Sequence, residues 1–530
     1  MECSKCTGDL EEWLKQMWPS ALKLHPLPAG CTIDDTPELL ACRYTVIEAK
    51  GKLSTQQTGP TRDAYLSQVP QNAHKCTDGS ATFQAALTEN KRMTQTDWPQ
   101  DVRHLVFDAP SLPPALGAGD IATVWPHTPA ALVQRLCSRL DIKPDTLISV
   151  SVSSAQAQAV TMSSVTHPEV AVALLPPPPG TAAATTPVLQ VPDVLTVEEL
   201  FSKYIDIASV PRRSCFEQLS FFSKGNPEEA EKLREISGPA GADLYASYAK
   251  KEKRNIVEIL EDFKSVQVPI AFLLELLPPI APRHFSIASS PMTEPGKVHL
   301  CMAVVQYETP FKREISGLCS NWLAKMPVGT VVHMAVRPGL LRLPPMYSAA
   351  CRLATSSAST IESQAAAAKQ LPLPPLILIG PGTGVAPMRG MLREIQAAKA
   401  LLAGRSTQPL WDARLYFGCR KASADHLYAE EWDAMKSCGA LSSYRCAFSR
   451  DGPTKVYVQT LLWEDRESIA AALQHPQCAL FIAGNAKRMP TDVLAVLHKV
   501  VESAGATPAQ AKAHLMAMQQ SKRLVIEAWS

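Results

Sequence analysis

Long apolar runs are the first thing this 530-residue chain lacks. None approaches the ~18 consecutive apolar residues of a membrane span. The N-terminus has no basic stretch leading into an apolar segment, so no secretory leader is visible. Net charge is only +2, too little for a nucleic-acid-binding surface. The 14 cysteines have no regular spacing and suit a reducing compartment. Cys3-Ser-Lys-Cys6 is a lone CxxC with no second pair, so no metal site is expected. No internal repeat is found. What remains, 46% hydrophobic and 19% charged residues, is ordinary for a globular chain long enough for two or three domains.

The most informative stretch is Leu376-Ile-Leu-Ile-Gly380-Pro-Gly382-Thr383-Gly384-Val-Ala-Pro387-Met-Arg-Gly390. Four apolar residues predict a buried strand. The glycines let the backbone turn sharply and approach a ligand closely. Pro387 suits the first turn of a helix, which Met388 to Lys399 continue. A strand, a glycine turn and a helix start together make a pyrophosphate site. No Lys-Ser/Thr follows the glycines, so the stretch is not a P-loop.

Further motifs surround it. Arg283-His-Phe285-Ser286-Ile-Ala-Ser-Ser290 and Gly317-Leu318-Cys319-Ser320 lie upstream. Downstream come Leu415-Tyr-Phe-Gly418-Cys-Arg420, Asp425-His-Leu-Tyr428, Ala447-Phe-Ser449-Arg450-Asp451 and Lys455-Val-Tyr457-Val-Gln459. Phe481-Ile-Ala-Gly484-Asn485-Ala-Lys487-Arg-Met489-Pro490 and Glu527-Ala-Trp529-Ser530 complete the series. In this order, over roughly residues 100–530, they resemble the ferredoxin–NADP reductase module of the diflavin reductases, the family of cytochrome P450 reductase. Tyr204-Ile-Asp-Ile-Ala-Ser-Val-Pro-Arg-Arg-Ser214 is similar to the smaller, cytosolic branch of that family.

The resemblance implies an antiparallel FAD-binding β-barrel with a helical insert, then a doubly wound parallel α/β NADP-binding domain. It implies a cytoplasmic NADPH-dependent oxidoreductase that moves hydride from NADPH to FAD. Residue by residue, Arg283 would hold the FAD pyrophosphate and Phe285 would offer the flavin a face. Ser286 would hydrogen-bond near the flavin N5. Gly317, Leu318, Cys319 and Ser320 would form the second FAD pyrophosphate turn, acting through backbone N–H groups. Gly382, Thr383 and Gly384 would hold the nicotinamide-side phosphates. Ser449, Arg450, Lys455 and Tyr457 would grip the 2′-phosphate, favouring NADPH over NADH, and Arg420 and Gln459 would belong to the same NADP-binding set. Asn485, Met489 and Asp492 would line the NADP site. Trp529 would stack on the isoalloxazine and move aside for nicotinamide, with Ser286, Glu527 and Trp529 as the catalytic set. Two positions depart from the P450 reductase pattern. Ala483 stands where that family has a Cys, and Glu527 where it has an Asp; Ala483 cannot donate a thiol proton.

The expected organisation is a flavodoxin-domain remnant helix and linker (1–38), an FAD-binding domain (39–370) and an NADP-binding domain (371–530). Within the second, a low-complexity loop covers 150–193 and a helical connecting insert 196–278. Arg43–Ala49 is read as the first barrel strand, 51–95 as a long polar loop, Asp101–Asp108 and Ala118–Pro126 as strands, Thr128–Leu140 as a helix, and 350–370 as an insertion. The family has a flavodoxin-like FMN domain of about 150 residues ahead of the FAD domain, and this chain has no room for one. Leu10 to Gly30 resemble only its last helix and Pro-rich linker. A member truncated by splicing, gene-model error or loss is therefore expected, binding FAD and NADPH but not FMN. The acceptor implied by the branch is an anamorsin-type iron–sulfur protein of cytosolic iron–sulfur assembly. A stand-alone reductase of a separate flavodoxin or ferredoxin, and an inactive fragment, remain as alternatives; intact Ser286, Arg450, Lys455 and Trp529 weigh against the fragment.

Overall fold

The computed structural model describes Met17, Lys23 and residues 38–49, 82–112, 117–152, 191–192, 194–355, 373–403 and 410–529. The readings of 1–38 and 150–193, and that of 350–370 beyond Thr355, fall almost wholly outside the described residues. Two compact units emerge: residues 1–69, 128–281 and 308–313 form one, and 70–127, 282–307 and 314–530 the other.

The first unit is mostly helical. Thr196 starts it as a helix cap: its hydroxyl accepts the Glu199 N–H, and the Glu199 carboxylate accepts the Thr196 N–H in return. Helices Ala130–Leu140, Arg213–Ser220, Pro227–Ser237, Ile256–Asp262 and Ile270–Leu276 follow the apolar spacing of the sequence. They enclose Leu136, Phe201, Phe216, Leu219 and Leu260. Tyr44–Glu48 is a strand, but it pairs antiparallel with Leu147–Val152 in a three-stranded sheet completed by Val194–Thr196. It is therefore not the first barrel strand. Only Tyr44 among its five residues is buried, so it lacks an inward face for a barrel.

The second unit opens with six antiparallel strands: β1 (Thr82–Arg92), β2 (Val102–Asp108), β3 (Ile121–Val124), β4 (Arg283–Ser286), β5 (Lys297–Ala303) and β6 (Val331–Arg337). Their order is β4-β3-β6-β1-β2-β5. Past β4, Ile287 bridges to Leu300, and the Ala288 N–H donates to the His299 carbonyl at 2.8 Å. This joins the two edges and closes the barrel. β1 corrects the reading of 51–95 as loop. Phe83, Ala85 and Leu87 alternate into the core, a period-2 pattern hidden among polar neighbours.

The second sheet is parallel and five-stranded: β7 (Leu376–Ile379), β8 (Ala413–Cys419), β9 (Ser443–Phe448), β10 (Ala479–Asn485) and β11 (Leu524–Trp529), in the order β9-β8-β7-β10-β11. All four residues of β7 are buried, as a central parallel strand requires. β8 and β10 flank β7 on opposite sides. The crevice beyond its carboxyl end is thus the switch point at which such sheets bind ligands.

Candidate active site

The turn after β7 depends on its glycines. Gly382 has φ +59°, which an L side chain rarely adopts, and space for a Cβ there is open. At Gly384 a Cβ would stand 2.1 Å from the Ala483 carbonyl oxygen, so only glycine lets the turn lie on β10. Thr383 sits between them, half-buried. The helix Val385–Leu402 starts directly behind, with Pro387 in its first turn.

The other NADP candidates gather along the same edge. Gly418 to Arg420 end β8, and Ser449 and Arg450 follow β9. Backbone bonds knit these two ends together. The Ser449 N–H donates to the Cys419 carbonyl at 3.0 Å, and the Arg450 N–H to the Arg420 carbonyl at 2.7 Å. Asp425 accepts the Arg420 and Lys421 N–H groups at 3.1 and 2.6 Å. Arg450, Lys455 and Tyr457 are exposed. Tyr457 immediately precedes the helix Val458–Glu464, whose first turn carries Gln459. Among the described residues, Arg420, Arg450 and Lys455 enter no ion pair, which leaves three cations available to an anion. Asn485 ends β10, and Met489 and Asp492 lie in the first turn of the helix Met489–Ser503.

On the barrel, Arg283, Phe285 and Ser286 lie along β4. Phe285 is half-buried against the barrel core. Gly317 caps the helix Leu318–Ala324, so Leu318, Cys319 and Ser320 form its first turn, where N–H groups lack intrahelical acceptors. The side chains of Cys319 and Ser320 are buried. Burial raises the Cys319 thiol to about 12, opposed by the nearby positive charge of Arg283.

A hydrogen bond joins a barrel strand directly to the parallel sheet. The Ser286 hydroxyl donates to Glu527 Oε1 at 2.9 Å. Glu527 and Trp529 are ordered on β11, opposite Ala483 and Asn485 of β10, and the Trp529 carbonyl accepts the Ala486 N–H at 2.8 Å. Burial raises the Glu527 carboxyl above the ordinary carboxylate range; the Ser286 hydrogen bond and then the charge of Arg337 pull it back down.

Arg337 was not singled out from the sequence. Register places it there: Arg337 pairs with Ile121, and Ile121 with Ser286. Directly opposed residues share a face, and two strand spacings, about 10 Å, lie within reach of an extended arginine. Arg389 was also missed, although it stands in the glycine-rich run. Its guanidinium donates to Glu431 at 2.8 and 2.9 Å and to the Ala288 carbonyl at 2.7 Å, and lies 4.8 Å over the Tyr428 ring. One buried cation thus fastens the helix behind the turn to the barrel segment after Ser286. The only sequence signal was a charged residue on the apolar side of a helix.

Comparisons with known proteins agree with a barrel followed by a parallel α/β sheet. The family model "FAD binding domain" matches residues 76–322, and "Oxidoreductase NAD-binding domain" matches residues 378–494. NADPH-dependent diflavin oxidoreductase 1 of Xenopus laevis is 32% identical over 98% of this chain and 76% of its own length. The same-named protein of Danio rerio is 31% identical over 99% of this chain and 77% of its own length. That of Arabidopsis thaliana is 29% identical over 99% and 77%.

Proposed function

The chain belongs to the NADPH-dependent diflavin oxidoreductase family, and on that premise we propose that it takes hydride from NADPH at the Ser286–Glu527 pair and passes the electrons through FAD to a one-electron acceptor. The observation that carries this reading is the Ser286–Glu527 hydrogen bond, 2.9 Å long, between a barrel strand and the terminal strand of the NADP sheet.

The residues fit both cofactors. Glu527 Oε2 and Arg337 Nε are buried without a hydrogen-bond partner, a condition that a polar ring lying against them would relieve. Arg283 and the N–H groups at Leu318 to Ser320 would hold the FAD pyrophosphate. When bound, FAD supplies the ring that accepts hydride and releases electrons singly. The protein's part is positioning and charge. The Ser286 hydroxyl fixes the Glu527 carboxylate, which faces the positive charge that grows on nicotinamide as hydride leaves. Thr383 and the turn amides hold the pyrophosphate of NADPH. Ser449, Arg450, Lys455 and Tyr457, with Arg420 and Gln459, hold its adenosine 2′-phosphate, and Asn485, Met489 and Asp492 border the nicotinamide half. Trp529, at the end of β11, would stack on the flavin ring and would have to move aside for nicotinamide. Ala483 contributes no proton, so the carboxylate and the hydroxyl act alone.

The acceptor we propose is FMN or an anamorsin-type iron–sulfur protein, in cytosolic iron–sulfur cluster assembly. Its support is the similarity of Tyr204–Ser214 to the cytosolic branch of the family. No helix of the described residues is long and apolar enough to cross a membrane. The test is anaerobic titration of the FAD-loaded protein with NADPH, followed by a one-electron acceptor such as ferricyanide. Bleaching of the flavin and its recovery on adding ferricyanide are expected. A flavin that stays oxidised in excess NADPH would overturn the reading.

A further inference from the structure

The carboxyl ends of β8 and β9 carry a second group of reactive side chains. Phe417 lies opposite Cys446, and Cys419 opposite Phe448. Alternate residues of a strand share a face, so Phe417, Cys419, Tyr444, Cys446 and Phe448 all project to one side of the sheet. His426 completes the cluster. Its ring stacks near-parallel to Phe417 at 5.9 Å and to Tyr444 at 6.2 Å, and meets the edge of Phe448 at 5.4 Å. His426 Nε2 and the Tyr444 hydroxyl are 2.6 Å apart. Two half-buried thiols and an imidazole therefore share one face of the sheet with three aromatic rings.

We propose that Cys446 is a nucleophilic thiolate site that forms a mixed disulfide with a low-molecular-weight disulfide of the glutathione class, with Cys419 and His426 holding its charge. The Cys446 thiolate attacks one sulfur of the disulfide. The S–S bond breaks, a new bond joins Cys446 to that sulfur, and the other sulfur leaves as a thiolate that takes a proton from the His426 imidazolium. Cys446 is oxidised, and the departing sulfur is reduced. The adduct persists rather than closing onto Cys419. Cys419 and Cys446 are offset by two residues on adjacent parallel strands, which places their Cα atoms about 8 Å apart, beyond the ordinary Cα span of a disulfide, about 4.4–6.8 Å.

The electrostatics agree. Hydrogen bonding from the Cys419 thiol lowers Cys446 to about 6 against the effect of burial, with His426 and Tyr444 assisting. Cys446 in turn raises His426. A thiolate beside an imidazolium is the arrangement that makes a cysteine reactive near neutral pH.

The site borders the NADPH grip, and this consequence rests on the function proposed above. The Cys419 carbonyl holds the Ser449 N–H at 3.0 Å, and the next residue, Arg420, holds Arg450. An adduct on Cys446 would crowd the residues assigned to the 2′-phosphate, and bound nucleotide would shield the thiol.

The test uses the FAD-loaded protein, iodoacetamide and oxidised glutathione, with peptide mass spectrometry to read each cysteine. The alkylation rate of Cys446 should level off above about pH 7, whereas that of free cysteine, ionising near 8.5, still climbs. Oxidised glutathione should add one glutathionyl group at Cys446, and Cys419→Ser or His426→Gln should move the pH profile upward by about a unit. A wild-type Cys446 profile that matches free cysteine, or labelling that spares Cys446, overturns the proposal without reference to any variant. Adding 2′,5′-ADP should slow modification of Cys446 at least several-fold. Reaction at an unchanged rate would leave the thiol site standing and overturn its coupling to the NADPH site.

Discussion

If Ser286 and Glu527 act through the bond they share, removing both should cost little more than removing one. The bond joins a hydroxyl to a carboxylate at 2.9 Å, and hydrogen bonds to charged partners contribute about 1.5–3 kcal/mol. The Glu527 carboxyl is drawn out of water, since burial is the largest influence on it; screening is weak and the upper half of that range applies. Ser286→Ala should therefore slow flavin reduction by NADPH roughly 30- to 150-fold. Glu527→Gln removes the charge as well and should cost somewhat more. The double variant should match Glu527→Gln within about 3-fold, giving a coupling energy of about 2–3 kcal/mol. The assay is anaerobic stopped-flow flavin bleaching with saturating NADPH, with flavin content checked in every variant. Multiplying effects in the double variant would show that the two residues act independently, and the shared-bond reasoning would fail.

Other outcomes follow from the same coordinates. Burial places the Glu527 titration above the ordinary carboxylate range and Arg337 opposes that shift, so flavin reduction should fall as pH drops through this raised value. Arg337→Gln removes the opposing cation and should carry the acid limb higher; an unmoved limb would separate Arg337 from Glu527. Arg450→Ala, at an exposed cation with no ion pair among the described residues, should raise the NADPH KM about 10- to 100-fold and leave NADH nearly unchanged, as steady-state kinetics with both cofactors will read. Arg389→Ala breaks a buried pair, a loss of about 3 kcal/mol at the lower end of the usual range, because Arg393 still stands 3.6 Å from Glu431. Differential scanning calorimetry should show a fall of roughly 4–6 °C, and a fall under 2 °C would mean that the network is redundant. Trp529→Ala should raise turnover with NADH relative to NADPH; an unchanged ratio in the FAD-loaded variant would remove Trp529 from the gate.

The parallel sheet was legible because its signals are local. Leu376–Ile379 announces a buried strand by composition alone, and the glycines after it announce a turn that other residues cannot make. The barrel was less legible. Thr82–Arg92 alternates only through Phe83, Ala85 and Leu87 before a bulge at Leu87/Glu89 shifts its register, and a bulge breaks the period on which sequence reading relies. Tyr44–Glu48 reads as a strand, but its partners are set 100 residues away at Leu147–Val152, a pairing that no local pattern encodes. Arg337 and Cys446 show the same limit. Each gains its neighbours only when strands distant in sequence fall into register.

The width of the parallel sheet has a consequence of its own. The residues assigned to the 2′-phosphate stand past β9, the turn assigned to the pyrophosphate past β7, and Trp529 at the end of β11, each two strands from the next. At ~4.8 Å per strand, these stations mark out a span of about 19 Å, so on the function proposed above the sheet would act as a ruler for a dinucleotide. Half a cofactor, either 2′,5′-ADP or nicotinamide mononucleotide, can occupy one station at a time. The intact molecule engages the far station at the effective concentration set by its own length. On that proposal, discrimination against shorter nucleotides would follow from the strand count and would need no side chain to exclude them.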